Sequence, residues 1–347
     1  MVPRSVPRRH PTIAEVARVA GVHASTVSRA LRGESGIAAD TVGRVRRVAD
    51  ELGYRPDPAA VGLRTRRSGL IGVLVPRLTD VVLATIYEGL DAAAAEAGFQ
   101  TFVANTGDDP ETRRRRLATL RDRRVDGVVL GDARLTDDDL LAGLAADGLP
   151  YVLVSRRSRG HLSVTTDDLR GGRLVAEHLL ALGHERVGVV AGRTYSSTGV
   201  ERTRGFRERY AEAGLPVPEE LVLPSRYDVS GGREVADALL AVRPRPTALF
   251  AVNDFTAIGV MGAVRSAGLR IGDDVAVVGY NDVPLAAELP IPLTTIASPM
   301  TEMGRVGMAR LLDRAAGRTV RSVRLRPRLM ARESSGPGRP AGSPGAD

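Results

Sequence analysis

Ser25, Ser28, Arg29 and Arg32 fall at i, i+3, i+4 and i+7, so a helix over this stretch would carry two hydroxyls and two guanidinium groups on one face. Val27, Ala30 and Leu31 share the opposite side and must face other helices. In a major groove, Arg can bridge O6 and N7 of guanine, while hydroxyls and amides at a helix start hold phosphates. A plain solvated helix face has the same composition, and charge placement separates the two readings. Residues 1–67 hold thirteen Arg against six acidic residues, a net of +7 out of +8 for the whole 347-residue chain. A short basic head on a near-neutral body concentrates field at one end, as a nucleic-acid-binding module does.

Three helices position that face. Thr12-Ile-Ala-Glu15 is a capping box opening a helix with Ile13, Val16, Ala17 and Ala20 on its apolar side. Gly21 ends it, and the second helix runs from Ala24 to Leu31. The third, about Ala39 to Leu52, repeats Val42, Val45, Val48, Ala49 and Leu52 at helical spacing before Gly53, Pro56 and Pro58. From Leu70 the texture changes to short apolar strands: LIGVLV (70–75), QTFVAN (100–105), VDGVVLG (125–131), YVLVS (151–155), LSVTT (162–166), RVGVVAG (186–192), ALFAVND (248–254) and VAVVGYND (275–282). Helical stretches lie between them, at Thr85–Ala97, Arg113–Arg123, Gly171–Leu182, Val200–Ala213, Gly231–Val242 and Phe255–Ala267. This alternation predicts parallel sheets covered on both faces, in two doubly wound lobes because one sheet would be very large. The division expected is a disordered basic arm (1–11), a helix-turn-helix headpiece (12–56), a linker-like segment with helix potential (57–68), a two-lobed α/β domain (69–334) and a disordered tail (335–347).

Composition narrows the classes. With 3% aromatic residues and no Trp, packing must rest on Ala, Val and Leu. The chain has no Cys, which excludes disulfides and thiolate metal sites. The basic N-terminus is followed by no apolar signal region, and no uncharged apolar run is long enough to span a membrane, so a cytoplasmic, nucleoid-associated protein is expected. An enzyme on the same fold is one rival. No Gly-x-Gly-x-x-Gly fingerprint, Walker lysine or His-Glu-x-x-His is present, and His178 and His184 lack metal-ligand spacing, so no cofactor and no metal are expected. A sugar-binding protein with an incidental helical N-terminus is the other rival. Arg113–Arg116 with Arg121, Arg123 and Arg124 reads as a solvated helix face over Leu117 and Leu120.

The string TIAEVARVAGVHASTVSRALRG (12–33) resembles the headpiece of lactose-repressor (LacI/GalR) family regulators, carrying Ala17, Gly21-Val22 and Thr26-Val27-Ser28-Arg29 in the family's order. ELGYRP (51–56), IGVLVP (71–76), HLLALGHERVGVVAG (178–192), ERTRGF (201–206), VND (252–254), VVGYND (277–282) and PLTTI (292–296) extend the resemblance over almost all of residues 12–332. It implies a periplasmic-binding-protein-like core. It also implies a homodimer on a palindromic double-stranded operator, usually a repressor, controlled by a small-molecule effector such as a mono- or oligosaccharide.

By position, the resemblance assigns base reading to Ala24, Ser25 and Arg29, with Arg32 on the same stripe, and phosphate contact to Thr12, Thr26 and Ser28. In the family the linker folds on DNA and inserts a Leu into the minor groove; here that is Leu63, beside Ala60. Asp57 and Pro58 favour such a helix, Gly62 opposes it, and so short a helix needs DNA and a partner to form. Arg202, Asn253 and Asn281 match polar effector contacts, and Leu83 and Tyr227 match apolar and stacking positions. Several positions depart from the family: Ala24 is small where many members carry a longer side chain, and PRLTDVVLA (76–84) lacks the usual Asn-Pro and aromatics. His23 replaces the usual Ser or Thr cap of the second helix, Asn281 replaces an Asp, and Ser155 stands where an acid is frequent. Asp254 and Asp282 can equally be helix caps, and Tyr280 equally core.

Overall fold

The computed structural model describes residues 11–55, 68–136 and 138–336. The basic arm through residue 10, the hinge with Ala60, Gly62 and Leu63, and the tail from 337 lie outside the described residues. Two compact units divide at Ser68 and Gly69.

The first unit holds α1 (Ile13–Ala20), α2 (Ala24–Leu31) and α3 (Ala39–Leu52). Both halves of the capping box form: the Thr12 amide donates to Glu15 Oε2 at 2.7 Å and the Glu15 amide to Thr12 Oγ1 at 3.3 Å. Gly21 and Gly53 end α1 and α3 at φ 65° and 66°, the left-handed conformation that glycine adopts without a Cβ clash. Val16, Ala17, Ala20, Val27, Ala30, Val45, Val48 and Ala49 make the core. Leu52, expected there, is 38% exposed because it lies in the last turn, past the partner helices.

The second unit has two lobes. The first is a six-stranded parallel sheet in the order β11-β5-β4-β3-β1-β2, from β1 (Leu70–Val75), β2 (Gln100–Asn105), β3 (Gly127–Leu130), β4 (Tyr151–Val154), β5 (Ser163–Thr166) and β11 (Val323–Leu325). Successive side chains point to opposite faces of the sheet. Val73, Val129, Val152 and Val154 pack beneath α4 (Val81–Glu96) and α12 (Met300–Ala315). Leu74, Val128, Leu130 and Leu153 pack beneath α5 (Pro110–Asp122) and α6 (Asp138–Ala146). The second lobe is a parallel sheet, β7-β6-β8-β9, of β6 (Val187–Ala191), β7 (Val222–Pro224), β8 (Ala248–Ala251) and β9 (Ala276–Val278). Around it pack α7 (Asp168–Ala181), α8 (Ser197–Glu212), α9 (Val229–Ala241), α10 (Asp254–Ser266) and the single turn α11 (Leu285–Glu288).

β10 (Thr295–Ala297) and β12 (Arg328–Met330) pair antiparallel beside the second lobe, so the chain crosses between lobes after β5, after β10 and after β11. β7, β10, β11, β12, α6 and α12 were not read from sequence. The four strands are three residues each, too short to show a period, and α12 follows no strand-and-loop signal of its own. Ser334 and Ser335 are buried, with the Ser334 hydroxyl donating to Val277 O at 2.6 Å and Ser335 Oγ 2.9 Å from His178 Nε2. The folded body therefore runs past the tail boundary expected at 335.

Glycines let the helices cross closely. A Cβ on Gly89 or Gly304 (α4 and α12), Gly172 or Gly205 (α7 and α8), or Gly232 or Gly259 (α9 and α10) would lie 2.0–2.2 Å from a backbone oxygen of the partner helix. These three contacts fix the helix layers, and with them the strand ends that carry the cleft residues.

Candidate functional site

On α2, Ser25 and Arg29 are exposed, Thr26 and Ser28 half-buried, and Ala24 packs at the edge of the headpiece core. His23 takes over the N-cap: its Nδ1 lies 2.9 Å from Ser25 Oγ and 3.4 Å from the Ser25 amide it accepts from. The imidazole thus substitutes for the missing hydroxyl while engaging Ser25 itself. Thr12 stays exposed, with its hydroxyl held in the α1 cap.

Sequence reasoning missed Glu34. Its carboxylate accepts from Arg32 Nε at 2.7 Å and Arg29 Nε at 3.3 Å, while Arg29 Nη2 donates to Ser35 O at 3.0 Å and Arg32 also reaches Ser28 Oγ. The hydrogen bonds and charges of the two arginines hold the Glu34 carboxyl below its usual range. The only clue in sequence was an acid just beyond the Arg stripe.

The second unit has a cleft of about 340 Å³ at the carboxyl ends of both sheets, where ligands of parallel α/β folds sit. Leu83, Ser155, Arg202, Tyr227, Asn253 and Asn281, chosen from sequence, all line it. Each is placed by its element. Arg202, on α8, donates from Nε to Asp168 Oδ1 at 2.7 Å and from Nη1 to Val252 O at 2.7 Å, with its guanidinium 3.7 Å from the Tyr280 ring centroid. Burial works against its charge, but the adjacent Asp168 outweighs it and keeps the guanidinium pKa above the usual arginine value. Asn253 is the N-cap of α10, accepting from the Thr256 amide at 2.7 Å, so the cap is not Asp254. Tyr227 places its hydroxyl between Gly192 and Gly199, where a Cβ would lie 2.2 or 2.5 Å from it. Tyr280 is fully buried core, and Asp282 pairs with Arg332 at 2.7 Å rather than capping a helix.

Ser155 (φ 65°), Asn281 (φ 113°) and Asp108 (φ 59°) line the cleft in backbone conformations that side chains seldom adopt. Only Arg124 and Asp282 share this among the other described non-glycine residues. The surrounding fold must hold these three residues in those conformations.

A cross-lobe latch beside the cleft was also missed. Arg156 binds Asp108 through both terminal nitrogens, at 2.8 and 3.2 Å, and Tyr195 from the second lobe donates its hydroxyl to the same carboxylate at 2.8 Å. The Arg134 guanidinium lies 3.8 Å from the Tyr195 ring centroid. Arg157 pairs with Glu201 across the lobes, its amide donates to Ser197 Oγ at 2.9 Å, and the Leu135 amide donates to Tyr195 O at 2.9 Å. Arg113 is 4% exposed and so does not lie on the solvated face expected of it; its Nη1 donates to Asp132 O at 3.0 Å. Arg114, Arg115 and Arg121 of that run do pair at the surface with Glu111 and Asp147.

Beneath the cleft, the fully buried Asp254 accepts from Thr295 Oγ1 at 2.6 Å and the Val283 amide at 2.8 Å, and burial raises its pKa to about 7. The folded state therefore keeps a proton that the unfolded chain, with an ordinary carboxyl near 3.8, has released. The stability this group adds is full below about pH 4 and lost as pH rises through about 7, by up to ~1.4 kcal/mol per pH unit. Asp254→Asn mimics the protonated form, donating to Thr295 and accepting from Val283. Denaturant unfolding at pH 5 and 8 is expected to lose less stability in this variant than in the parent; an equal loss would contradict a protonated Asp254.

The family described as "Bacterial regulatory proteins, lacI family" matches residues 12–57, and "Periplasmic binding protein-like domain" matches residues 176–335. The HTH-type transcriptional regulator CelR of Thermobifida fusca is 37% identical over 94% of this chain and 99% of its own length. The HTH-type transcriptional regulator DegA of Bacillus subtilis is 32% identical over 94% and 98%. Among solved structures, the Lac repressor dimer bound to operator and the anti-inducer ONPF aligns with a TM-score of 0.87 at 28% identity, covering 94% of this chain and all of that one. A transcriptional regulator CelR–cellobiose complex aligns at 0.72 with 33% identity and the same coverage.

Proposed function

The chain belongs to the LacI family of bacterial regulatory proteins, and from that premise we propose that it represses transcription as a homodimer on a palindromic operator, released or engaged by a small polar effector of the sugar class. Two headpieces lie in successive major-groove half-sites, with Ser25, Arg29 and Arg32 toward base edges and Thr12, Thr26 and Ser28 toward phosphates. Ala24 offers only a methyl contact, suited to thymine. The hinge residues Ala60 and Leu63 occupy the minor groove between the half-sites. The protein acts at the nucleoid and performs no catalysis.

One observation carries the effector half: residues chosen from six separate segments converge on one strained, polar cleft between the lobes. Asn253, Asn281, Ser155 and Tyr227 supply donors and acceptors matched to hydroxyl groups, and Arg202 a fork of donors. An effector that prefers one lobe arrangement shifts the hinges, and by linkage DNA changes effector affinity by the same factor. Selection from random duplexes by the full chain should recover a two-fold symmetric site, and a panel of sugars should contain one that changes its affinity. Failure of every sugar and related polar metabolite to do so would sink the effector reading.

Glu34 occupies the two guanidinium groups that the DNA reading needs. Glu34→Gln is expected to raise affinity for a scrambled duplex a few-fold and steepen its salt dependence, as measured by fluorescence anisotropy. No change in either would mean that this carboxylate does not compete with phosphate.

A further inference from the structure

We propose that the cleft takes an anionic sugar, whose carboxylate or phosphate is held between Arg77 of the first lobe and Arg193 of the second. The proposal rests on the effector reading above and adds the ligand's charge.

Five guanidinium groups line the cleft (Arg77, Arg156, Arg193, Arg202 and Arg226) against the carboxylates of Asp80, Asp108 and Asp228. All three carboxylates are already engaged. Asp108 accepts from Arg156 and Tyr195. Asp80 caps α4 by accepting from the Val82 amide at 3.0 Å. Asp228 caps α9, accepting from the Gly231 amide at 2.7 Å and the Ser230 hydroxyl at 3.0 Å, and lies 3.5 Å from Arg226. Each carboxylate therefore has part of its acceptor capacity committed to the protein's own groups.

Three of the five guanidinium groups form close ion pairs and two do not. The charge of Arg156 is paired with Asp108, that of Arg202 with Asp168, and that of Arg226 with Asp228 and Glu234. Arg77 and Arg193 are exposed at the cleft and form no ion pair within 4.0 Å among the described residues, although Arg77 is close enough for its charge to favour ionised Asp228. Arg77 follows β1 and Arg193 follows β6, so the two spare guanidiniums belong to different lobes. A planar guanidinium fork matches carboxylate and phosphate oxygens two at a time. An anion between them would bind best when the lobes approach, which couples ligand charge to the lobe arrangement.

The test measures dissociation constants of the full chain by calorimetry for matched sets: glucose, glucuronate and glucose 6-phosphate; galactose and galacturonate; ribose and ribose 5-phosphate; and inorganic phosphate alone. At least one acid or phosphate is expected to bind ~10-fold or more tightly than its neutral parent, with inorganic phosphate weaker than the sugar anion. The uronate and phosphate arms say which anion the forks prefer. Arg77→Gln with Arg193→Gln is expected to remove that advantage, with its ligand-free thermal midpoint reporting whether the variant folds. If no anionic member exceeds its parent, or the advantage survives in the folded double variant, the proposal is overturned. A neutral sugar that releases operator in that case leaves the effector reading standing without it.

Discussion

Arg202→Met is expected to cost ~3–5 kcal/mol of stability, because it strands a buried carboxylate. Arg202 is 5% exposed and Asp168 2%, and their 2.7 Å contact joins α8 to the start of α7 beneath the cleft. Removing the guanidinium also leaves the Val252 carbonyl without its 2.7 Å donor. Pairing the change with Asp168→Asn removes the stranded charge and should recover most of the stability without restoring the effector response, since the fork facing the cleft is still missing. Urea unfolding of the two variants separates these effects. A loss below ~1 kcal/mol in the single variant would mean that this pair does not organise the cleft floor.

Arg29→Ala carries the largest expected effect on DNA. A bidentate guanine contact is worth ~1–3 kcal/mol of discrimination, so operator affinity should fall ~5- to 150-fold while affinity for scrambled DNA falls far less. Substituting the base pair that Arg29 reads should then no longer matter to the variant. In the free headpiece Arg29 is bound to Glu34 and the Ser35 carbonyl, and these contacts must be exchanged on the duplex. A uniform loss on every sequence would move Arg29 from base reading to phosphate contact.

Much of this was legible because the signals are local. The Thr12/Glu15 capping box spans four residues, and the glycines ending α1 and α3 follow directly on apolar periodicity. Asn253 and Asn281 stand just after β8 and β9, so the general placement of ligands at strand ends already pointed to them. Helix starts were read late, α4 from Thr85 instead of Val81 and α8 from Val200 instead of Ser197, because first turns carry capping and small residues before the apolar stripe begins. The latch was not legible at all: Tyr195 meets Asp108 across 87 positions and Arg157 meets Glu201 across 44. Arg113 was misread for a related reason. In a run of four arginines only the fold decides which one turns inward to the Asp132 carbonyl.

The reading stands or falls on whether α2 distinguishes one duplex from another. The direct measurement is the ratio of the full chain's affinities for its selected palindrome and for a scrambled duplex of the same length and composition, at one stated near-physiological salt concentration. A sequence-reading headpiece predicts a ratio of ~10³ or more. Equal affinity for the two duplexes would leave only a basic surface attracting phosphate, and would contradict the account.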